Sequence, residues 1–248
     1  MTAGSDRAVL KLLRAGQTTD SRWPSSPDPA HPYYWRREAC AYESGVLAAF
    51  GAPACRAVVE RPDGSLALWL ELVPEVDAWT PELLGVVAER LGRAQREEPA
   101  DTGWLARDWL RAYLVLHGVD PDEGVLGRLN GMRQTLCHND LHPANVLGRS
   151  GEVVIDWAYC GIGAVGLDAG VLVADGIADE AFPAEAADDA AAAVWEGYLA
   201  GLGGVSDEAD VRFAFARGTA LRLSWLPRGE RPSWDATAAL LGRLASEA

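Results

Sequence analysis

Residues 136–166 constrain the fold of this chain more than any other segment. They read LCHNDLHPANVLGRSGEVVIDWAYCGIGAVG, in which two β-prone runs flank a glycine-containing turn. Such runs predict a tight hairpin, and the polar, proline-marked run 138–143 before it predicts a loop. We therefore expect Asp140 on the entering loop, Asn145 at the first strand and Asp156 directly after the second. The hairpin would bring three oxygen-bearing side chains together.

Two of these side chains suit a hard divalent cation. Mg²⁺ prefers a few carboxylate or amide oxygens and leaves positions for phosphate and water, which fits Asp156 and Asn145. Asp140 is then free to act as a base. Asp and Asn are also common in turns, so an ordinary hairpin with turn-forming residues is the alternative interpretation.

The pattern H-x-D-x-x-x-x-N, followed by an apolar strand and I-D-W, resembles the catalytic loop and metal-binding aspartate of the aminoglycoside phosphotransferase and choline kinase family. It stands here as HNDLHPAN at 138–145 and IDW at 155–157. The resemblance implies that Asp140 accepts the proton of a substrate hydroxyl. It also implies that Asn145 holds one Mg²⁺ and that Asp156 bridges Mg²⁺ to the phosphates of ATP.

Lys11 is the only lysine among the 22 basic residues, in the apolar run AVLKLL at 8–13. A compact ammonium and a planar guanidinium are not interchangeable at a phosphate, so this position looks chemically constrained; an exposed lysine at a strand end is the alternative. The resemblance implies that Lys11 holds the α- and β-phosphates and that a helical glutamate orients it. Glu38 is the predicted partner and Glu43 the second choice. The alternative interpretation of Glu38 is a solvated surface carboxylate.

Two further residues are predicted to support the loop and to take no part in the chemistry. The resemblance implies that Asp168 braces the catalytic loop by hydrogen bonds, and His138 is assigned to the same supporting group. Asp168 also precedes the apolar run 169–174, so capping of that helix is the other interpretation.

The order of elements predicts an α+β chain. The resemblance implies a protein-kinase-like two-lobe fold. The smaller lobe, at 1–73, would hold an incomplete antiparallel sheet, and the larger, mostly helical lobe at 74–248 would carry the catalytic hairpin. The residue patterns predict a β-hairpin over 56–72 and helices over 34–50, 80–98, 104–117, 122–132, 183–202, 207–225 and 233–246.

The chain departs from the family before Lys11. A complete N-terminal lobe has two more strands there, which carry a glycine-rich loop over the phosphates. Only ten residues precede Lys11, with Gly4 the sole glycine among them. We therefore expect a truncated lobe, or a start placed too far downstream. The strand at 8–13 would then be a sheet edge, open to pairing with a second copy in a homodimer.

The composition limits which classes of binding partner and which cellular compartment we expect. The net charge of −14 over 248 residues argues against binding to nucleic acid or to an anionic membrane. No apolar run approaches the roughly 20 residues of a membrane span. The four cysteines show no paired metal spacing, which is typical of buried thiols in a reducing compartment. We therefore expect a cytoplasmic protein.

The resemblance, with Asp140, Asn145 and Asp156 all present, implies a small-molecule kinase that transfers the γ-phosphate of ATP to a hydroxyl of a small acceptor, with Mg²⁺ as the metal. The acceptor and the choice of ATP or GTP stay open. A kinase-like binding or regulatory protein and an enzyme with other chemistry in the same cleft are the alternatives. The acidic charge would suit a cationic acceptor, although solubility is the simpler explanation. Five residues form a candidate acidic wall for such a cation, or a solvated helix start: Asp175, Asp179, Glu180, Asp188 and Asp189.

Overall fold

The computed structural model describes residues 7–16, 25–99, 102–226 and 231–246. It has the predicted α+β organisation, with a small antiparallel sheet in the N-terminal part and a largely helical C-terminal part. The strands are β1 Ala8–Leu13, β2 Cys55–Glu60, β3 Leu66–Glu71, β4 Gln134–Cys137, β5 Val146–Leu147, β6 Val153–Val154 and β7 Gly161–Ala164. The helices are α1 Arg37–Ser44, α2 Pro81–Ala94, α3 Trp109–Leu116, α4 Glu123–Gly131, α5 Leu167–Ala178, α6 Ala187–Leu202, α7 Glu208–Phe213, α8 Thr219–Arg222 and α9 Pro232–Ser246.

The N-terminal sheet has the strand order β1-β3-β2 and is antiparallel throughout. Lys11 lies opposite Leu68, so both side chains point to the same face of the sheet. Leu68 is fully buried there and packs with Ala39 of α1. The alternation along β1 therefore turns the single lysine toward the helix, while Leu10 and Leu12 are exposed on the opposite face.

The C-terminal part is built around a close crossing of α2 and α6. Glycines line this contact from both helices: a Cβ on Gly197 would lie 2.2 Å from the carbonyl oxygen of Gly85, and one on Gly201 would lie 2.2 Å from that of Glu89. Backbone therefore packs directly on backbone. The main hydrophobic core extends from this crossing to α5 and the catalytic hairpin.

The loop at 138–145, called the catalytic loop here after its predicted role, leaves β4 and enters the β5-β6 hairpin. β4 pairs with β7, and β5 pairs with β6, both antiparallel. Asn145 was expected in the first hairpin strand, but it ends a single 3₁₀ turn, Pro143–Asn145, directly before that strand. Pro143 fixes the backbone at the start of the turn, which explains why the strand begins one residue later than predicted.

Three predicted helices differ from those observed. The helix predicted over 34–50 is only Arg37–Ser44, because Gly45 adopts the left-handed conformation with φ of 77° and ends it. The helix predicted from residue 104 begins at Trp109, after Asp108 with φ of 52°. The helix predicted over 207–225 is divided into α7, a π-helical turn at Ala214–Gly218, and α8.

Three further expectations concern the cysteines, membrane-spanning helices and the segment before β1. Cys137 and Cys160 are buried, but Cys40 and Cys55 are only half-buried, so the expectation of four buried thiols is wrong. Within the described ranges, no helix is both long enough and apolar enough to cross a membrane. The expected truncation ahead of β1 falls largely on residues 1–6, which lie outside the described residues.

We expect Gly197→Ala to destabilise the protein by about 1–3 kcal/mol, because the new methyl group would push α6 away from α2. Gly242→Ala is the matched control, since a Cβ on Gly242 in α9 meets no atom within 4 Å. That change should stabilise by roughly 0.5–1 kcal/mol through helix propensity. Urea unfolding of both variants measures the difference, and equal effects would contradict direct backbone packing of α2 on α6.

Candidate active site

The ammonium group of Lys11 joins three elements. Its Nζ lies 2.7 Å from Oε2 of Glu38 on α1 and 2.8 Å from Oδ1 of Asp156 after β6. Glu38, and not the second choice Glu43, is therefore the carboxylate beside the lysine. Burial alone would lower the pKa of Lys11, but the two carboxylates outweigh it and raise the pKa. Lys11 thus stays protonated between two acids.

The two acids beside Lys11 have different environments. Glu38 is fully buried, and burial raises its pKa despite the neighbouring ammonium group. Asp156 is partly exposed; burial would also raise its pKa, but the ammonium group of Lys11 outweighs this and lowers it. Asp156 has φ of 62°, an uncommon left-handed conformation for a residue other than glycine. It is thus an ionised, partly accessible carboxylate held by a constrained backbone.

Asn145 lies next to both the base candidate and the strand that leads to Asp156. Its Nδ2 donates to the carbonyl oxygen of Asp140 at 2.9 Å, which leaves the amide oxygen for another partner. Ile155 N donates to the carbonyl oxygen of Asn145 at 2.9 Å. These bonds bring Asp140, Asn145 and Asp156 to one end of the hairpin.

The donor set at this end fits Mg²⁺ shared with a phosphate. In the described residues no group of three or more His, Cys, Asp and Glu side chains could hold a metal ion without other ligands. One carboxylate, from Asp156, and one amide oxygen, from Asn145, leave most of an octahedral shell for phosphate oxygens and water. This is how proteins commonly bind Mg²⁺ with a nucleotide.

His138 ties the catalytic loop to the end of the hairpin. Its Nε2 lies 2.8 Å from the carbonyl oxygen of Ile155, and its Nδ1 accepts from the backbone N–H of Asp140 at 3.2 Å. The ring also contacts Trp157 edge to face, with centroids 4.7 Å apart. His138 therefore fixes the spacing between Asp140 and Asp156 while its ring stays buried.

Asp168 lies under the catalytic loop in the first turn of α5. Its carboxylate accepts from the backbone N–H groups of His138 and Asn139 at 2.7 and 3.0 Å. It also accepts from Nε2 of Gln95 at 3.0 Å, and Tyr198 donates to the other end of that amide. Asp168 forms no side-chain cap, because Gly166 occupies the N-cap position. The geometry agrees with a brace and not with a helix cap.

The carboxylates of the candidate acidic wall do not form an open wall. Asp175 is bound to Arg222 at 2.8 Å, Asp179 lies 3.1 Å from Nδ1 of His142, and Asp188 pairs with Arg243 on α9. The sequence could not show this because the cations come from distant segments. Three of the five candidate wall residues therefore already have a cationic or imidazole partner, and Glu180 accepts from the hydroxyl of Ser233.

Sequence reasoning missed four buried polar residues near the site. Gln95 and Tyr198 support Asp168, as described above. Arg37 donates to the backbone carbonyls of His31 and Trp104 at 2.7 and 2.9 Å, which anchors α1 to the C-terminal part. Arg222 donates to the side chain of Asp140. Each of these four residues lies in an apolar or mixed stretch of the sequence that matches no motif. Their roles are visible only in the folded structure.

Comparison with known families supports the predicted resemblance. The model of the phosphotransferase enzyme family, APH, matches residues 126–207, which include the catalytic loop, the hairpin and Asp168. A comparison with curated proteins finds no match.

A solved kinase structure shares the fold at low sequence identity. The amicoumacin kinase hAmiN, in complex with AMP-PNP, Ca²⁺ and Ami, matches with a TM-score of 0.51 and 16% identity, over 97% of this chain and 82% of that chain. Aminoglycoside phosphotransferase APH(3'')-Id from Streptomyces rimosus matches with a TM-score of 0.47 and 16% identity, over 77% and 82%. The resemblance to the phosphotransferase enzyme family is thereby confirmed by the family match over residues 126–207, together with the kinase-like fold of the chain.

Proposed function

We propose that the protein is a small-molecule kinase that transfers the γ-phosphate of ATP to a hydroxyl of a small acceptor. The observation that carries this proposal is the Lys11 ammonium group, which lies within 3 Å of both Glu38 and Asp156. A lysine fixed in this way beside a metal-binding carboxylate is suited to hold nucleotide phosphates. In this proposal residues 1–73 and 74–248 are the two lobes, and the nucleotide binds between them.

On the nucleotide side, Lys11 would hold the α- and β-phosphates, and Glu38 would keep its ammonium group in place. Asp156 and Asn145 would hold Mg²⁺, which supplies charge neutralisation at the phosphates when bound. His138 and Asp168 take no part in the chemistry in this proposal. They fix the loop backbone, and preorganised positions supply most of the catalysis in phosphoryl transfer.

On the acceptor side, Asp140 would accept the proton of the attacking hydroxyl. Its carboxylate is about one-third exposed, so it is open to the cleft on one side. Its backbone N–H is held by His138 and its carbonyl by Asn145. The base therefore lies on the same loop as Asn145 and is connected through His138 to the strand end that carries Asp156, which favours in-line transfer to a hydroxyl next to it.

We expect Asp140→Asn to reduce turnover by about 10²–10⁴-fold, since a positioned base contributes on that order. Affinity for the Mg²⁺-ATP complex should stay nearly unchanged, because Asp140 faces the acceptor and not the nucleotide. Steady-state assays with a panel of hydroxyl acceptors, together with calorimetric nucleotide titration, separate the two effects. Glu196→Gln, which alters an exposed carboxylate on α6, serves as the control; undiminished turnover in Asp140→Asn would exclude this mechanism.

Lys11→Arg keeps the charge but places a wider, planar group between Glu38 and Asp156. We expect it to weaken nucleotide binding almost as much as Lys11→Ala, because the fork does not fit a space made for a point donor. Arg14→Lys is the matched control, at an exposed pair with Asp63. If Lys11→Arg bound nucleotide as tightly as the wild type, Lys11 would not be the phosphate ligand.

We also propose that two copies pair through the outer edge of β1. In the described part of the chain β1 pairs only with β3, and Val9, Leu10 and Leu12 are each about 40% exposed. An exposed apolar edge without proline favours pairing with another strand. We expect a dimer by size-exclusion chromatography with light scattering, and a monomer for Leu10→Lys. A wild-type protein that stays monomeric at high concentration would refute this proposal.

A further inference from the structure

A buried arginine lies directly behind the proposed base. Arg222 is 3% exposed, and its NH2 group donates to Oδ1 of Asp140 at 3.0 Å. Its NH1 group donates to Oδ2 of Asp175 at 2.8 Å. Burial would lower the pKa of Arg222, but the two carboxylates outweigh it and raise the pKa. The guanidinium group is thus a permanent cation shared by two acids.

The surroundings hold this guanidinium group in one place. Its central carbon lies 5.6 Å from the ring centroid of Trp109 and 5.4 Å from that of Tyr113. Cations within about 6 Å of an aromatic face are attracted by it, more so when water is excluded. Two rings and two carboxylates therefore fix both the position and the plane of the group.

The backbone before Arg222 places this residue next to Asp140 and Asp175. The π-helical turn Ala214–Gly218 directly precedes α8, and π turns shift the register of the following side chains. Gly170 on α5 lets this turn approach closely, because a Cβ there would lie 2.3 Å from the carbonyl oxygen of Phe215. The close approach brings Arg222 within reach of α5, where Asp175 lies.

Helix α5 supports the catalytic loop at two points. Asp168 and Asp175 are seven residues apart, close to two helical turns, so they lie on the same face. Asp168 accepts from the backbone N–H groups of His138 and Asn139. Asp175 reaches the base indirectly, through Arg222. One helix face thus holds the loop backbone, and through Arg222 it also holds the base carboxylate.

We propose that Arg222, held by Asp175, is a positioning residue for the base Asp140. The inference rests on the proposed kinase function and deepens it. The guanidinium group fixes Oδ1 of Asp140, so that Oδ2 is the atom presented to the acceptor hydroxyl. The guanidinium group also pairs with the carboxylates of Asp140 and Asp175, which would otherwise attract a cationic group of the acceptor. The acceptor therefore does not need an ammonium group beside its reacting hydroxyl.

The central test is chemical rescue of Arg222→Ala. We expect turnover at saturating Mg²⁺-ATP to fall by about 10²-fold, as for a misplaced catalytic group, while the nucleotide dissociation constant changes less than about twofold. Millimolar guanidinium chloride should restore part of the turnover, whereas equal concentrations of urea, its neutral analogue, should not. A merely structural role for Arg222 would not produce this selective rescue. Arg243→Ala, which breaks an exposed pair with Asp188, is the matched control and should keep full turnover.

If Arg222→Ala does not fold, two other variants, Arg222→Lys and Asp175→Asn, test the same positioning role. Lysine retains the charge but offers one nitrogen in place of the two that reach Asp175 and Asp140 separately, so turnover should fall by about tenfold with nucleotide affinity kept. Asp175→Asn should lower turnover in the same way, because Arg222 loses its charged partner. Full turnover in Arg222→Lys, or equal recovery with urea and guanidinium in Arg222→Ala, would overturn the positioning role. A wild-type protein without any phosphoryl transfer would instead overturn the proposed function itself.

Discussion

The ion pairs of Lys11 with Glu38 and Asp156 connect the parts of this molecule that would have to meet for phosphate binding in the proposed function. Lys11 comes from an edge strand, Glu38 from α1 and Asp156 from the end of the hairpin, so one ammonium group joins sheet, helix and catalytic loop. A buried carboxylate such as Glu38 costs free energy unless it is paired, since its charge has lost water. The pairing therefore stabilises the same arrangement that, in the proposed function, would present the lysine and Asp156 to a nucleotide.

A second constraint acts from below the catalytic loop, where α5 supplies one fully buried acid, Asp168, and one partly buried acid, Asp175. Asp168 is connected through Gln95 to Tyr198 on α6, so the loop is attached to the α2-α6 crossing that forms the main core. Because protein interiors are close-packed, this connection transmits the rigidity of the core to the loop. Asp175, paired with Arg222, extends the same support to the side chain of Asp140.

The sequence was enough for the parts of the site that depend on local spacing. The five-residue interval between Asp140 and Asn145, and the turn between the hairpin strands, determine the loop without tertiary information. The partnership of Lys11 with Glu38 was predicted through the family resemblance, which implies a helical glutamate beside the lysine; the residues alone left Glu43 as the second choice. Helix ends were less predictable, since Gly45 ended α1 six residues before the expected end.

Long-range pairing could not be predicted from sequence. Arg222 lies 82 residues from Asp140 and 47 from Asp175, and nothing in its local sequence marks it as a partner of either. The same holds for Asp175, Asp179 and Asp188 of the candidate acidic wall, which pair with Arg222, His142 and Arg243 from distant segments of the chain. A cluster of acidic residues in the sequence therefore does not show that the acceptor is a cation. The ion pairs that those residues make in the structure are the better evidence.

The most direct measurement of the central claim is a calorimetric titration of ATP into the wild-type protein and into Asp156→Asn, each with and without Mg²⁺. We expect Mg²⁺ to tighten ATP binding to the wild type by more than about tenfold, and this gain to be lost in the variant, because the carboxylate that would share the metal with phosphate is gone. Binding of ATP that is equally tight with and without Mg²⁺, or a gain that persists in Asp156→Asn, would contradict the role of Asp156 as the carboxylate shared between metal and phosphate.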